Sequence, residues 1–169
     1  MIELERKYLL EFDLKAFKDI NRYESVINQY YCEDYRLREI TRDELTSYIF
    51  TKKIKSNNTP GANIEIETEI DKVIFDDLVQ NSKSSLTKIR KSIEEVDQHI
   101  DIDLFYENNI PYLLTMEIEH ISGKSPVIPS FIADKVILDF TNTSFSNYQL
   151  SRCSKVKIYE QIIEEWNNG

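Results

Sequence analysis

Most of the chain alternates. Ile2 to Leu10, Ser25 to Tyr31, Tyr35 to Ile40, Tyr48 to Lys55, Ile64 to Ile70, Thr87 to Ile93, Ile100 to Phe105 and Tyr112 to His120 each tend to place an apolar residue at every second position. That is the period of a strand buried on one face. Four segments follow a helical spacing instead. Leu14, Phe17 and Ile20 follow Asp13, a plausible N-cap. A second segment runs from Asp71 to about Gln80 and carries Val73, Ile74 and Leu78, with Phe75 as a further candidate. A third, Ser130 to Asp139, groups Phe131, Ile132, Val136 and Ile137. The fourth starts at Lys155 and puts Tyr159, Ile162, Ile163 and Trp166 on one stripe, with Trp166 in the core and Glu160, Glu164 and Glu165 outside. Ser56–Asn63 and Gly123–Pro126 read as loops. Eight antiparallel strands and a few helices predict an α+β fold, a closed or nearly closed β-barrel with helices packed outside. At 169 residues the chain is expected to be a single domain, 1–169.

Composition narrows the function. The net charge is −9, which argues against a general binder of nucleic-acid polymers or of anionic membranes. Gly61, Gly123 and Gly169 are the three glycines, too few and too scattered for a glycine-rich phosphate cradle. Cys32 and Cys153 read as reduced thiols. The opening Met-Ile-Glu-Leu-Glu is unlike a signal peptide, and no apolar run approaches the ~20 residues of a membrane span. A cytoplasmic protein is the expectation.

The polar phase of the strands carries the candidate chemistry. Glu3, Glu5 and Lys7 share one face of the first strand, and Arg36 and Arg38 share one face of another. Lys53 with Lys55, Glu65 with Glu67 and Glu69, Lys88 with Arg90, Asp101 with Asp103, and Glu117 with Glu119 repeat the pattern. Residues two apart lie on one face of a strand. With helices outside a closed sheet, these charges point inward and form a hydrated tunnel of both signs. Confined carboxylates call for neutralisation. Hard divalent cations suit the acids, and a polyphosphate suits the arginines and lysines.

The order of these motifs resembles the CYTH superfamily, the triphosphate tunnel metalloenzymes. Glu3-Leu4-Glu5-Arg6-Lys7 resembles the opening ExExK signature. Arg36-Leu37-Arg38, Thr51-Lys52-Lys53, Lys88-Ile89-Arg90, Asp101-Ile102-Asp103-Leu104-Phe105 and Glu117-Ile118-Glu119 are similar to the family's later strands, in family order. Thr51-Lys52-Lys53 makes Lys53, not Lys52, the tunnel lysine. Ser144 stands where the family often has an arginine ahead of an aromatic-x-Asn, here Phe145-Ser146-Asn147; Arg152 is a nearby substitute.

The resemblance implies metal-dependent hydrolysis of a small-molecule triphosphate, inorganic tripolyphosphate or an organic one. The alternatives are a class IV adenylate cyclase, which makes cyclic AMP and pyrophosphate, and a non-catalytic triphosphate-binding protein. By resemblance Glu3, Glu5, Asp103, Glu117 and Glu119 gather Mg²⁺ or Mn²⁺. Lys7, Arg36, Arg38, Lys53, Lys88 and Arg90 hold the triphosphate. Lys88, Glu5 and Glu117 are the expected catalytic groups, with Lys88 read as mainly electrostatic. Glu65, Glu67 and Asp101 are further tunnel acids. His99 and His120 are read as structural or surface residues.

Overall fold

The computed structural model describes residues 3–55, 63–121, 124–153 and 157–168. The loop over 56–62, Gly123, and the side chains of Glu3, Lys53 and Lys55 lie outside the described residues. The elements in chain order are β1 (Glu3–Leu10), α1 (Leu14–Asp19), β2 (Glu24–Tyr31), β3 (Arg36–Arg42), β4 (Leu45–Lys55) and β5 (Asn63–Glu69). They continue with α2 (Lys72–Val79), β6 (Ser84–Glu94), β7 (Gln98–Glu107), β8 (Ile110–Ile121), β9 (Val136–Asp139), α3 (Asn147–Leu150) and α4 (Ile158–Asn168). Each of the eight expected strands is present.

The chain divides into two compact units. Ser25–Thr87 form an inserted unit, and residues 1–24 with 88–169 form the flanking unit. The inserted unit orders its strands β5-β4-β3-β2, and the flanking unit β6-β7-β8-β1-β9. The expected eight-stranded closed barrel is corrected in two respects. Among the described residues nine strands are present, and neither series closes on itself by hydrogen bonds. The additional strand is the helix expected over 130–139. There a short 3₁₀ turn, Ala133–Lys135, gives way to β9, which pairs Val136 with Leu10 and Asp139 with Tyr8. Backbone donors at the edge of β1 are satisfied by a neighbouring strand, and four residues are too few for a stable helix.

Two tight turns set register without glycine. Asp43 and Glu44 join β3 to β4, with φ of 47° and 68°; Asn108 and Asn109 join β7 to β8, with φ of 50° and 64°. Positive φ at both central residues is the twist that a two-residue hairpin needs.

Packing follows the apolar phase of each strand. In the flanking unit Tyr8, Leu10, Ile93, Ile100, Ile102, Leu104, Leu114, Met116 and Ile118 form a core with Phe17, Ile20 and Ile132. Asp13 caps α1 by accepting from Ala16 N at 2.9 Å. In the inserted unit Phe75 of α2 packs on Tyr48 and Tyr30, with ring centroids 4.8 and 5.8 Å away. Val73 and Ile74, expected inside, are exposed, Val73 to 74%. Phe75, Leu78 and Val79 are the residues of this short helix that pack against the inserted unit's core. In α4, Ile158 and Ile162 are buried, whereas Trp166, expected in the core, is 50% exposed. The helix is anchored near its start: the Tyr159 hydroxyl donates to Leu10 O at 2.8 Å and accepts from Leu114 N at 3.3 Å. Burial pushes that hydroxyl's pKa up to about 12.

Lys91 breaks the apolar phase of β6, between Ile89 and Ile93. It is buried, and its Nζ donates to Phe17 O (3.1 Å), Lys18 O (3.4 Å) and Ile20 O (2.8 Å). It also lies 4.9 Å from the Phe17 ring and 3.3 Å from Glu24. It therefore adds a donor to three carbonyls at the end of α1, of which Phe17 O and Ile20 O also accept from Ile20 N and Arg22 N. Lys91→Met should destabilise the protein by roughly 1–3 kcal/mol in urea unfolding. A change within 0.5 kcal/mol would show that the carbonyls find other donors.

Candidate functional site

The polar face of the flanking unit grades from dry to wet. β6 contributes Lys88, Arg90, Ser92 and Glu94; β7 contributes His99, Asp101 and Asp103; β8 contributes Glu117 and Glu119; β1 contributes Glu5 and Lys7. Register sets Lys7 opposite Glu117 and Glu117 opposite Asp101. One step further along, Glu5 opposes Glu119 and Glu119 opposes His99. The Asp103 side chain is 0% exposed and that of Lys88 2%, while that of Glu5 is 43% exposed.

The dry end is a tightly bonded ion cluster. Lys88 Nζ donates to Asp103 Oδ2 at 2.7 Å. Arg90 forks onto the same carboxylate, Nε to Oδ1 and Nη2 to Oδ2, both at 2.6 Å. Arg90 also reaches Asp101 through Nη1 and Glu117 Oε2 at 3.3 Å. Lys88 lies 5.5 Å from the Phe105 ring. Burial alone would raise the Asp103 pKa, but Arg90 and then Lys88 outweigh it and hold the carboxyl at about 2. Burial pulls Lys88 below the ordinary lysine value, against the opposing pull of Asp103. Arg90 is held cationic, with Asp103 overcoming its burial.

Toward the wet end the acids outnumber their partners. Lys7 Nζ lies 2.9 Å from Glu5 and 3.8 Å from Glu117. Burial opposes the Lys7 charge, but Glu117 and then Glu5 carry its pKa above the ordinary value. Asp101 accepts from Ser92 Oγ at 2.6 Å. His99 bridges Asp101, at 2.9 Å from Nε2, and Glu94, at 2.6 Å from Nδ1. Both partners are carboxylates, which accept hydrogen bonds and so favour the doubly protonated imidazole. Its pKa is accordingly raised, with burial outweighed by Asp101 and Glu94. His120, by contrast, is buried, and its Nδ1 lies 3.3 Å from Ile121 O.

The donor set of this face suits a divalent cation at its wet end. Six carboxylates among the described residues of this face, Glu5, Glu94, Asp101, Asp103, Glu117 and Glu119, meet three permanent cations, Lys7, Lys88 and Arg90, and the imidazole of His99. The excess lies at the wet end, where Glu5 and Glu119 are directly opposed across the strands. Like charges placed so are destabilising unless neutralised, and oxygen donors suit Mg²⁺ or Mn²⁺. Glu5, Glu117 and Glu119 therefore fit a hard cation by chemistry. No group of three or more such side chains among the described residues stands in a ligating cluster. Both oxygens of Asp103 already accept from Lys88 and Arg90, which makes it their counter-ion here.

The inserted unit carries its own charged strip. Arg36 and Arg38 of β3 share a face with buried Gln29 and Tyr31 of β2, paired in register. Arg36 Nη2 donates to Glu65 Oε1 at 3.1 Å, and Arg38 Nη2 to Glu67. Thr51 Oγ1 donates to Glu67 Oε2 at 3.2 Å. Lys53 is registered opposite Glu65, and Lys52 turns to the other face and meets Asp34 at 2.7 Å. Tyr31, buried on the charged face, takes a hydrogen bond from Gln29.

At the position where the resemblance expects arginine, Ser144 is held by α4. Its N and Oγ donate to the Glu165 carboxylate at 2.5 and 2.7 Å. Arg152, the nearby substitute, is stacked on Tyr148 and donates to its hydroxyl at 2.8 Å. Sequence reasoning missed Ser92 and the bridge that His99 makes between Asp101 and Glu94. The serine continues the Lys88-x-Arg90 phase by two residues, which was the available signal.

No family model matches the chain, and no curated protein sequence matches it. Solved structures do. The inorganic triphosphatase NE1496 aligns with a TM-score of 0.58 at 22% identity, over 91% of this chain and 97% of that one. A second crystal structure of NE1496 gives 0.57 at 22% identity, over 90% and 99%. The PH1819 protein of Pyrococcus horikoshii OT3 gives 0.52 at 18% identity, over 73% and 80%. At these identities the likeness is one of fold. No described helix is long and apolar enough to cross a membrane.

Proposed function

We propose that this chain, which has the CYTH fold, hydrolyses a small-molecule triphosphate in a metal-dependent reaction. The observation that carries the reading is the graded face of the flanking unit. A bonded cationic cluster at its dry end passes into an excess of carboxylates at its wet end. The arginine strip of the inserted unit supports it, because guanidinium groups suit phosphate oxygens. Likeness of fold to an inorganic triphosphatase agrees with this reading.

Glu5, Glu117 and Glu119, with Glu3 two residues before Glu5, would hold Mg²⁺ or Mn²⁺. Bound there, the metal supplies Lewis acidity and lowers the pKa of a coordinated water. In the flanking unit Lys7 and Arg90 bind phosphate oxygens; in the inserted unit Arg36, Arg38 and Lys53 offer phosphate contacts of their own. Glu5 and Glu117 orient the attacking water. The water oxygen bonds to the terminal phosphorus as one of its protons passes to solvent, the bridging P–O bond breaks with its electron pair left on the diphosphate oxygen, and orthophosphate and a diphosphate leave. Lys88 acts electrostatically: paired with Asp103, it holds Arg90 in place and excludes water from the dry end.

The test is a product assay on purified protein with tripolyphosphate and ATP in parallel, each with Mg²⁺, Mn²⁺ or EDTA. Orthophosphate released from tripolyphosphate, and abolished by EDTA, is the expected result. Cyclic AMP with pyrophosphate would replace this reading by the cyclase. Tight binding without turnover would replace it by a non-catalytic binder.

A further inference from the structure

We propose that Glu65 and Glu67 are internal exchange ligands: they occupy Arg36 and Arg38 until a phosphate chain displaces them, and retake the arginines as product leaves. The inference rests on the reading that the arginine strip binds phosphate. β5 is the end strand of its unit, registered against β4 alone among the described strands. Its two carboxylates are the wetter partners, with side chains 39% and 48% exposed against 21% and 16% for Arg36 and Arg38. The arginines are thus the fixed half of each pair and the glutamates the half able to swing into water.

The grip is also incomplete. Arg36 meets Glu65 through Nη2, at 3.1 Å, while its Nε is buried and has no hydrogen-bond partner. A phosphate takes the Nε and Nη edge of a guanidinium together. It would satisfy a donor that the Glu65 contact leaves unmet, and an unmet buried donor is costly. The two arginines stand two residues apart on β3, roughly 6.8 Å along the strand. A chain of phosphates can meet both, and one orthophosphate meets one.

The consequence is counterintuitive for residues on a binding face: removing the two carboxylates should tighten anion binding. An exposed ion pair is worth little, so each displacement is expected to weaken binding by roughly two- to five-fold. In EDTA, calorimetric titration of Glu65→Gln/Glu67→Gln should show orthophosphate binding tightened by about that factor. Tripolyphosphate, which displaces both, should gain roughly four- to twenty-five-fold. In the wild type, tripolyphosphate should shift the Arg36 Nε–H resonance in a ¹H–¹⁵N spectrum, a readout that needs no variant to fold. Unchanged or weaker binding in the variant, or a stationary Arg36 resonance at saturation, overturns the exchange. If the wild type turns over tripolyphosphate and the variant gains no affinity, exchange fails and the proposed function stands. If the wild type is inactive and the variant gains affinity, exchange stands and the function fails.

Discussion

Asp103→Asn is expected to lower unfolding free energy by about 3–5 kcal/mol, the usual effect of stripping one partner from a buried ion cluster. Ordinary domains hold only about 5–15 kcal/mol in total, so this change alone brings the chain near unfolding. The reason lies in the geometry. Asp103 is wholly buried and accepts three hydrogen bonds, one from Lys88 and two from Arg90. An amide at that place offers one acceptor oxygen and points an NH₂ at two cations. Urea unfolding at neutral pH measures the loss. A double variant sharpens it: Lys88→Met in the Asp103→Asn background removes one stranded cation, so the pair should lose less than the sum of the single changes. The pH dependence has a definite sign. The Asp103 pKa is depressed from 3.8 to about 2, so its contribution is present above pH 3.8 and is lost as pH falls toward 2. The variant should lack that acid limb. A loss under 1 kcal/mol, with the limb intact, would mean that the cluster is not held by Asp103.

The second large effect is on catalysis. Arg90→Lys should reduce kcat/KM for tripolyphosphate by roughly 10²–10³, the scale seen when one preorganised charged donor is lost from a site. Arg90 touches three carboxylates, Asp101, Asp103 and Glu117, and forks onto one of them. A lysine keeps the charge but has a single ammonium, unable to reproduce the planar fork. Steady-state orthophosphate release with saturating Mg²⁺ reports the loss, and circular dichroism separates it from unfolding. Activity within tenfold of wild type would remove Arg90 from the phosphate-binding set.

Much of this was legible along the chain because alternation reports directly which face of a strand is buried. Arg36 with Arg38, Lys88 with Arg90 and Asp101 with Asp103 fall on polar faces as the spacing requires. What spacing could not give is the partner. Whether Asp103 meets a metal or two cations is decided by the strands beside it, and Lys88 and Arg90 reach it from β6. Lys91 escaped notice because a lysine among polar neighbours reads as solvated; only its phase, shared with Ile89 and Ile93, marked it as facing the core. The segment 130–139 misled for a different reason. Its apolar residues satisfy a helical period, but the open edge of β1 offers hydrogen bonds that only tertiary structure reveals. Trp166 shows the limit of periodicity on a terminal helix, where the stripe continues past the last point of contact.

The place of β1 has a consequence for how the chain comes together in time. Its partners on both sides are distant: Leu9 pairs with Thr115 and with Leu138, both more than a hundred residues further along. Pairing over such separations is entropically slow. The inserted unit is contiguous, and its β3–β4 hairpin is local. During synthesis that unit is free to assemble while β1, with Glu5 and Lys7, waits unpaired for the strands made last. A strand-forming segment left waiting, with Tyr8, Leu9 and Leu10 uncovered, is the point at which a growing chain is most open to capture by a chaperone or by another copy of itself.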